Sequence, residues 1–374
     1  MAELIVDTMI VAGASLRSHA VNLSGRLVQT LSLVILALLG TTCALLLIMR
    51  GAPTLWLFDP HGDFTVFYGA ARAVMQGHNP YDAFPLFRYL PAMIWIARPF
   101  ALGSQELGYL LWTAFLTLCL AVTLLQLVRQ YGTRVYMSAL ALSPAAALAV
   151  MVAQPAVLVT LALAVAIVAL ERNGEIVAGI LLAAIWLKPQ LALPAICLFG
   201  FRSPRVLLAF AVASIPLFAD PMLPAWLHQM LIFSVERETV QASLAGLWPA
   251  VLGPHHPGYL IVAGAALAAS ICVLRRGGSP ARILAILLLI WFIAAPYSHA
   301  YDVTLLIVPL AALGAATSSP LLLNCWLGTL LSFYTLPTAT LVAPLLLLTA
   351  MTRRSQATHG GMASQHDVAG DPAA

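Results

Sequence analysis

Charged residues are scarce in this chain of 374 residues, since Asp, Glu, Lys and Arg make up only 9% of it. An average soluble domain contains about 25% of such residues. Hydrophobic residues make up 61%, and the mean hydropathy is +0.95. This composition excludes a soluble globular enzyme and a disordered protein. The 18 Lys and Arg residues stand singly or in pairs between apolar runs, so no basic patch for a phosphate backbone is present, and we expect no nucleic-acid partner.

Cysteine is also sparse, and its spacing is not that of a metal or redox site. All five cysteines lie in apolar runs without a C-x-x-C pair, which predicts small buried hydrophobic side chains. The adjacent His255 and His256 lack the spacing of zinc ligands. A glycine-rich nucleotide fingerprint is also missing. We therefore expect no metal site and no cofactor. The cysteines are Cys43, Cys119, Cys197, Cys272 and Cys325.

Apolar residues instead form long continuous runs, which indicate a polytopic α-helical membrane protein. The run 31–49 has the length of a span rather than of a signal peptide, so we expect it to be a retained first span. In all, the runs predict an all-α bundle of about twelve spans. These spans lie near 31–49, 108–128, 136–153, 155–170, 176–187, 191–201, 206–219, 258–274, 283–296, 303–316, 321–335 and 338–351.

The spans divide the chain into three parts. Residues 1–30 are predicted to be a cytoplasmic N-terminal segment, residues 31–351 a transmembrane domain, and residues 352–374 a disordered cytoplasmic tail. Arg17 and Arg26 precede the first span, which favours a cytoplasmic N-terminus by the positive-inside rule. We therefore expect a multi-pass inner-membrane protein with both termini in the cytoplasm.

Two predicted spans, 176–187 and 191–201, are each too short to cross a hydrocarbon core of about 30 Å. They form either one kinked span broken at Lys188 or a hairpin of two short helices, and the choice reverses the orientation of every later span. The hairpin leaves only Arg237 outside among the later basic residues, so the positive-inside rule favours it. The basic residues that it places inside are Arg202, Arg205, Arg275, Arg276, Arg282, Arg353 and Arg354.

In the hairpin orientation, four polar segments share the outer face. Eight of the 14 acidic residues lie in these segments, whereas the cytoplasmic connections are mostly short and basic. Polar chemistry is thus concentrated outside, and we expect the active site on that face. The segments are the first outer loop 50–107, the tip 188–190, the second outer loop 220–257 and the corner 298–302.

The first outer loop contains a short amphipathic helix. Asp63 is a good N-cap, and Gly77 is suited to the position just beyond the C-terminus. The apolar residues between them form one stripe on a helix that is too short to span. We predict that this helix lies in the membrane interface, and that a second apolar stretch that ends at Arg98 is either a second interfacial helix or a re-entrant segment. The stripe consists of Phe64, Phe67, Tyr68, Ala71 and Met75.

The order of motifs in this loop resembles glycosyltransferase family 87, whose members are polyprenol-phosphate-sugar-dependent enzymes of the GT-C class. An acidic residue opens the loop and is followed by F-x-x-F-Y at 64–68, by G-x-N-P-Y at 77–81 and by Y-x-P at 89–91. The resemblance implies a GT-C-like helical bundle and a lipid-linked sugar donor.

Later segments are similar to the same family. They are L-K-P-Q at 187–190, Q-A-S-L at 241–244 and S-H-A-Y-D at 298–302. The sequence departs from the family around Gln154, where the usual Gly and Asn are missing, and at Gln241, which stands in place of Asn. The resemblance covers roughly residues 30–350 of the chain.

Asp63 is the candidate catalytic residue. Inverting transfer needs a carboxylate that takes the proton from the acceptor hydroxyl as this attacks C1 of the sugar, and the resemblance implies that role for Asp63. From the residues alone, Asp63 could be only the cap of its helix, and both roles fit one residue.

Lys188 is the candidate ligand of the donor phosphate, since an anionic lipid needs a cationic partner and ionisable residues within apolar segments are often functional. The alternative is a structural breakpoint whose ammonium group reaches the interface. At the corner, His299 and Asp302 are candidate sugar or phosphate contacts, although Asp302 could simply cap the next span. The remaining candidates are Arg72, Arg88, Tyr68, Tyr89, Gln154 and Arg237.

These expectations together describe an inverting glycosyltransferase. It would move a hexose, with mannose implied by the resemblance, from a polyprenyl-phosphate donor to a glycolipid or glycan hydroxyl on the outer face. Its partners would be the donor, the acceptor and the lipid bilayer. The alternatives are a membrane transporter or lipid flippase, which would line a path through the spans with polar residues, and a membrane scaffold without catalysis.

Overall fold

The computed structural model describes residues 62–84, 86–232, 243, 258–314, 326–327 and 343–344. Within these residues all regular secondary structure is helical, and they contain no β-strand. The predicted all-α class is therefore confirmed for this part of the chain. The predictions for residues 1–30, the first span, the tail 352–374 and Arg237 lie outside the described residues, as do those for almost all of the last two spans.

Short helices make up the described part of the first outer loop. Helix α1 is Phe64–Met75, α2 is Pro80–Ala83, and α3 is Ala92–Ala97, which continues as a 3-10 helix at Arg98–Ala101. Helix α3 buries Met93 in the protein core.

The apolar stripe of α1 packs against protein. Phe64, Phe67 and Ala71 are fully buried. Trp112 of the next helix lies near both phenylalanine rings, with centroid distances of 6.3 and 6.2 Å. An aromatic core inside the protein therefore covers this part of the stripe. That the helix lies in the membrane interface stays a prediction.

The main bundle begins after this loop. Its helices are α4 (Gln105–Tyr131), α5 (Val135–Ala141), α6 (Ser143–Met151), α7 (Ala156–Glu171), α8 (Glu175–Leu182, continued by a 3-10 helix at Ala183–Leu187), α9 (Pro189–Gly200), α10 (Pro204–Phe218), α11 (Leu223–Ile232), α12 (Gly258–Arg276), α13 (Pro280–Ile293) and, after a 3-10 helix at Ala300–Leu306, α14 (Ile307–Leu313).

Two described helices are long and apolar enough to cross a membrane. They are α4, with 27 residues, and α12, with 19 residues. A third span results if α10 and the first part of α11, which meet at an angle of 101°, are counted together. The other apolar helices in the described ranges are shorter, so a bundle of about twelve spans stays a prediction.

Large apolar side chains are exposed on several of these helices. Leu110 of α4, Ile215 of α10 and Ile261 of α12 are 63%, 64% and 70% exposed. In water such side chains would cost free energy, whereas lipid tails would cover them. These faces are consistent with a membrane protein.

The chain reverses at Lys188, between α8 and α9. The hydroxyl of Ser203 donates a hydrogen bond of 2.7 Å to Glu175, so the end of α9 lies beside the start of α8. One continuous helix would separate these two residues by about 40 Å at 1.5 Å per residue. The two short helices therefore form a hairpin rather than one kinked span.

One predicted span is divided in the structure. The segment 136–153 forms α5 and α6, which meet at Leu142. Pro144 at the start of α6 has no backbone N–H and its ring crowds the preceding turn, which ends α5. The segment 303–316 likewise begins earlier, as the 3-10 helix from Ala300.

The bundle has two different ends. At one end, Tyr131 contacts Glu171 at 3.4 Å, Ser203 contacts Glu175, and the backbone at Gly277 lies near the guanidinium of Arg202. We call it the basic end because its connections carry Arg129, Arg134, Arg172, Arg202, Arg205, Arg275, Arg276 and Arg282. The opposite end, which carries Asp63, Gln154, Lys188 and Asp302 at helix junctions, is the site end.

Candidate functional site

A close backbone approach fixes Asp63 at the site end. The N–H of Asp63 donates a 3.0 Å hydrogen bond to the carbonyl of Val152, just beyond α6. Gly62 has φ of +55°, and a Cβ there would lie 2.6 Å from the Val152 Cα. Only glycine suits this combination of conformation and contact, so Gly62 lets the first loop dock on the bundle.

The Asp63 side chain does not cap its helix. Asp63 has helical backbone angles and makes no side-chain cap hydrogen bond, which corrects the N-cap prediction. Its carboxylate instead accepts a hydrogen bond from the amide of Gln154. The carboxylate is therefore aimed at the bundle rather than at its own helix.

Gln154, between α6 and α7, joins the first loop to the bundle at a second residue of the loop, Tyr89. Its side chain is fully buried, and its Oε1 accepts a 3.2 Å hydrogen bond from the hydroxyl of Tyr89. The preceding Ala153 has φ of 60°, a left-handed conformation that turns the chain between α6 and α7. The side chain of Gln154 thus joins Asp63 and Tyr89 of the first loop to the turn between α6 and α7.

A buried ion pair forms the other half of the site. Lys188, in the turn between α8 and α9, places its Nζ 2.7 Å from Oδ1 of Asp302, and the two side chains are 4% and 0% exposed. Oδ2 of Asp302 accepts a 2.9 Å hydrogen bond from the backbone N–H of His299. The Lys188 ammonium also lies 4.5 Å from the centre of the Tyr301 ring. Both oxygens of Asp302 are therefore occupied.

The two halves share one electrostatic environment. Burial raises the pKa of Asp63 above its usual value, the charge of Lys188 and the hydrogen bond from Gln154 oppose this rise, and the charge of Asp302 adds to it. We call Asp63, Gln154, Lys188 and Asp302 the polar cluster. It gathers residues that the sequence separates by as many as 239 positions (302 − 63).

Aromatic side chains line the corner beside this cluster. The His299 ring lies 4.7 Å from that of Tyr301, and its Nε2 is 2.5 Å from the hydroxyl of Tyr297. Burial, reinforced by Lys188 and opposed by Asp302, lowers the pKa of His299 to about 4. His299 is therefore neutral at pH 7 and cannot attract a phosphate by charge.

The sequence analysis did not select Tyr297 or Tyr301. Tyr301 lies within the S-H-A-Y-D motif that drew attention to His299 and Asp302, so its position was the available signal. Tyr297 has no comparable signal, because an aromatic residue after a span is also typical of the membrane interface.

Three other predicted contact residues lie along the first loop. The hydroxyl of Tyr68 donates to the carbonyl of Gly103 at 2.9 Å. Arg72 lies in the last turn of α1, nine residues from Asp63, and Arg88 is exposed in the loop before Tyr89.

The residues of the polar cluster and its neighbour Tyr89 differ in exposure. Gln154, Lys188 and Asp302 are buried, whereas Asp63 and Tyr89 are partly exposed. Among the described residues, no three His, Cys, Asp or Glu side chains lie close enough to hold a metal ion.

Comparison of the chain with protein-family models, with curated proteins and with solved structures finds no match. The function is therefore inferred from the geometry of the site and from the sequence motifs.

Proposed function

We propose that this protein is an inverting glycosyltransferase. It moves a hexose, with mannose the first to test, from a polyprenyl-phosphate donor to a hydroxyl of a glycolipid or glycan acceptor. The motifs similar to glycosyltransferase family 87 support this proposal, and so does the polar cluster. Asp63 is the proposed general base.

The observation that carries the proposal is the convergence of Asp63, Gln154, Lys188 and Asp302 at one end of the bundle. Burying ionisable groups costs free energy, so such a group of residues more often serves a function than stability. Asp63 carries a carboxylate and is partly exposed as a residue, whereas Asp302, the other carboxylate of the polar cluster, is fully buried. It is therefore the residue best placed to meet an acceptor hydroxyl.

In the proposed reaction, Asp63 takes the proton of the acceptor hydroxyl while the hydroxyl oxygen forms a bond to C1 of the sugar. The bond between C1 and the phosphate oxygen breaks, and the lipid phosphate leaves with the electron pair. Attack from the side opposite the leaving group inverts C1. The donor supplies the activated bond, so the protein contributes a base and the alignment of the two substrates.

The membrane gives this chemistry its location. A polyprenyl tail partitions into the bilayer, which presents the sugar phosphate at the depth of the interface. In our proposal the basic end faces the cytoplasm and the site end faces outward, by the positive-inside rule. The full chain then has about twelve spans and both termini in the cytoplasm. Arg72 and Arg88 of the first loop are then candidate ligands of the donor phosphate.

Transport is the second candidate function. The observation that favours it is the buried Lys188–Asp302 pair, because paired ionisable groups within helical bundles also serve proton or ion pathways. A flippase or transporter needs polar groups along a path, whereas the polar cluster lies at helix junctions of one end.

One experiment separates the two functions. The purified protein in lipid vesicles is supplied with radiolabelled polyprenyl-phosphate mannose and an acceptor lipid extract. We expect labelled product and free polyprenyl phosphate, with the anomeric configuration of the product, read by NMR, opposite to that of the donor. Movement of intact donor across the bilayer without product would contradict the transferase proposal and support transport.

A further inference from the structure

The turn between α6 and α7 holds Asp63 at two points. The carbonyl of Val152 accepts a hydrogen bond of 3.0 Å from the backbone N–H of Asp63, and the side chain of Gln154 donates one to Oδ2 of its carboxylate. Helix α4 anchors this turn, because the indole of Trp112 donates to the carbonyl of Ala153 at 2.9 Å. A carboxylate held both at its backbone and at one oxygen has little freedom to rotate.

The amide of Gln154 has a donating end and an accepting end, and each end meets a different residue. Its Nε2 donates to Asp63, and its Oε1 accepts from the hydroxyl of Tyr89 at 3.2 Å. If the amide turned by half a rotation, Oε1 would face an ionised carboxylate, and two acceptors would meet without a proton between them. The hydrogen bond from Tyr89 therefore favours the orientation in which Gln154 donates to Asp63. Because the Gln154 side chain is fully buried, solvent does not compete for either bond.

This arrangement treats the two oxygens of the Asp63 carboxylate differently. Oδ2 accepts the hydrogen bond from Gln154, whereas Oδ1 accepts none from the described part of the chain. A general base must bring an oxygen to about 2.6–3.2 Å from the atom that gives up its proton, so the direction of that oxygen matters as well as its charge. Holding Oδ2 fixes the direction of Oδ1.

We propose that Gln154 is a positioning residue for the general base and that Tyr89 acts through it: Tyr89 holds the amide, the amide holds Oδ2 of Asp63, and Oδ1 takes the proton of the acceptor hydroxyl. Neither Gln154 nor Tyr89 then binds the sugar or the donor phosphate, which replaces the role expected from the sequence. This inference rests on the proposed transferase function.

The first test separates kcat from KM for both substrates. Gln154→Met keeps a side chain of similar length without a hydrogen-bond donor, so the carboxylate is less well aligned and kcat should fall by about 10–100-fold. Tyr89→Phe keeps the ring and leaves the amide with one partner, so kcat should fall by about 3–10-fold. The KM for the donor and the KM for the acceptor should change less than about twofold in both variants.

A double variant shows whether Tyr89 acts through Gln154. If it does, Tyr89→Phe has no further effect in a chain that already carries Gln154→Met, and the double variant should transfer at the rate of Gln154→Met alone. Two independent contacts with substrate would instead give losses that multiply. Tyr131→Phe is the matched control, because it removes a hydroxyl at the basic end and should leave every parameter at the wild-type value.

The pH dependence of kcat/KM gives a readout that a purely structural role would not move. A hydrogen bond donated to the ionised form of a carboxylate lowers its pKa, and the bond from Gln154 acts in this direction on the pKa of Asp63. Gln154→Met removes that bond. The acidic limb of its profile should therefore move to higher pH than that of the wild type.

The other ionisable groups near Asp63 are the same in the wild type and in Gln154→Met. Lys188 and Asp302 act on Asp63 with opposite signs. Burial raises the pKa values of Tyr89 and Tyr301 well above 10, so both keep their protons, and burial lowers the pKa of His299 to about 4. A difference between the two profiles above about pH 5 therefore reports the loss of the amide.

A KM for donor or acceptor raised about tenfold or more in Gln154→Met, with an unmoved acidic limb, would overturn the inference and make Gln154 a substrate contact. Losses that multiply in the double variant would overturn the role of Tyr89. If thermal unfolding shows that Gln154→Met does not fold, Tyr89→Phe decides: a lowered kcat with unchanged KM supports the inference, and an unchanged kcat contradicts it. Transfer by the wild type persists in all these cases, whereas its absence would contradict the proposed function instead.

Discussion

The two ends of the bundle hold their charges in different ways. At the basic end, Arg205 and Glu175 lie 3.9 Å apart with side chains 81% and 32% exposed. At the site end, Lys188 and Asp302 lie 2.7 Å apart with almost no exposure. Exposed pairs contribute about 0–1 kcal/mol, whereas a buried pair incurs a desolvation cost that its attraction offsets only with good geometry. The two ends thus differ in how deeply their charges are buried. In our proposal the charges of the site end serve chemistry, and those of the basic end set the orientation in the membrane.

The largest expected effect concerns the side of the membrane that each end of the bundle faces, because labelling from outside either occurs or does not. In a background without the native cysteines, His78→Cys at the site end should react with an impermeant maleimide added outside intact cells. Thr133→Cys and Arg276→Cys at the basic end should react only after permeabilisation. His78, Thr133 and Arg276 are all exposed on the protein surface, so the access of the reagent to each position depends on the membrane alone. Labelling of Arg276→Cys from outside would break the assignment of one end to each side.

Breaking the buried pair should have the largest effect on stability. Lys188→Met leaves Asp302 charged and unpaired in the interior, which should lower the free energy of unfolding by about 3–5 kcal/mol. The measurement is thermal unfolding in detergent, followed by tryptophan fluorescence. Adding Asp302→Asn to the same chain should recover most of the loss. If the single variant unfolds like the wild type, water reaches the pair and the burial argument is wrong.

The hydrogen bond between Tyr89 and Gln154 should contribute less. Tyr89→Phe removes the donor and leaves Oε1 of the buried Gln154 unpaired, which should cost about 1–2 kcal/mol. Tyr68→Phe is the matched control, because its hydroxyl donates to a carbonyl in an exposed part of the loop. An equal loss in both variants would mean that the amide of Gln154 is no more constrained than a surface contact.

The exposed pair should be almost neutral. Glu175→Gln removes the charge facing Arg205 but keeps an oxygen that can accept the hydrogen bond from Ser203, so we expect a change below about 0.5 kcal/mol. Unfolding midpoints of this variant and of Lys188→Met, measured side by side, compare the contribution of the exposed pair to stability with that of the buried pair. A loss of about 3 kcal/mol or more in Glu175→Gln would remove the distinction between the two ends.

The helices were the easier part to predict from the sequence. Long apolar runs gave 108–128 for α4 and 155–170 for α7, close to the observed Gln105–Tyr131 and Ala156–Glu171. The division at Leu142 was missed because the run is apolar throughout, although Pro144 marked it. The burial of Phe67 was also missed, since an amphipathic stripe has the same pattern whether lipid or protein covers it.

The residue types alone were enough to predict most residues of the site, but not which of them contact one another. Lys188 and Asp302 stand out as charged residues in apolar segments. From the sequence, however, Lys188 was predicted to bind the donor phosphate rather than to pair with Asp302. Nothing local indicates a contact across 114 positions, because it depends on how the α8–α9 turn meets the corner after α13. The place of Gln154 beside Asp63 is likewise set by the docking of the first loop at Gly62.

The central claim is that the Asp63 carboxylate performs transfer, and the rate of transfer by Asp63→Asn tests it most directly. The amide cannot take a proton, so the rate should fall by about 10²–10⁴-fold, while the protein keeps its expression and its unfolding midpoint. Asp82→Asn, which changes an exposed carboxylate in the same loop, should transfer at the wild-type rate. Wild-type transfer by folded Asp63→Asn would contradict the account.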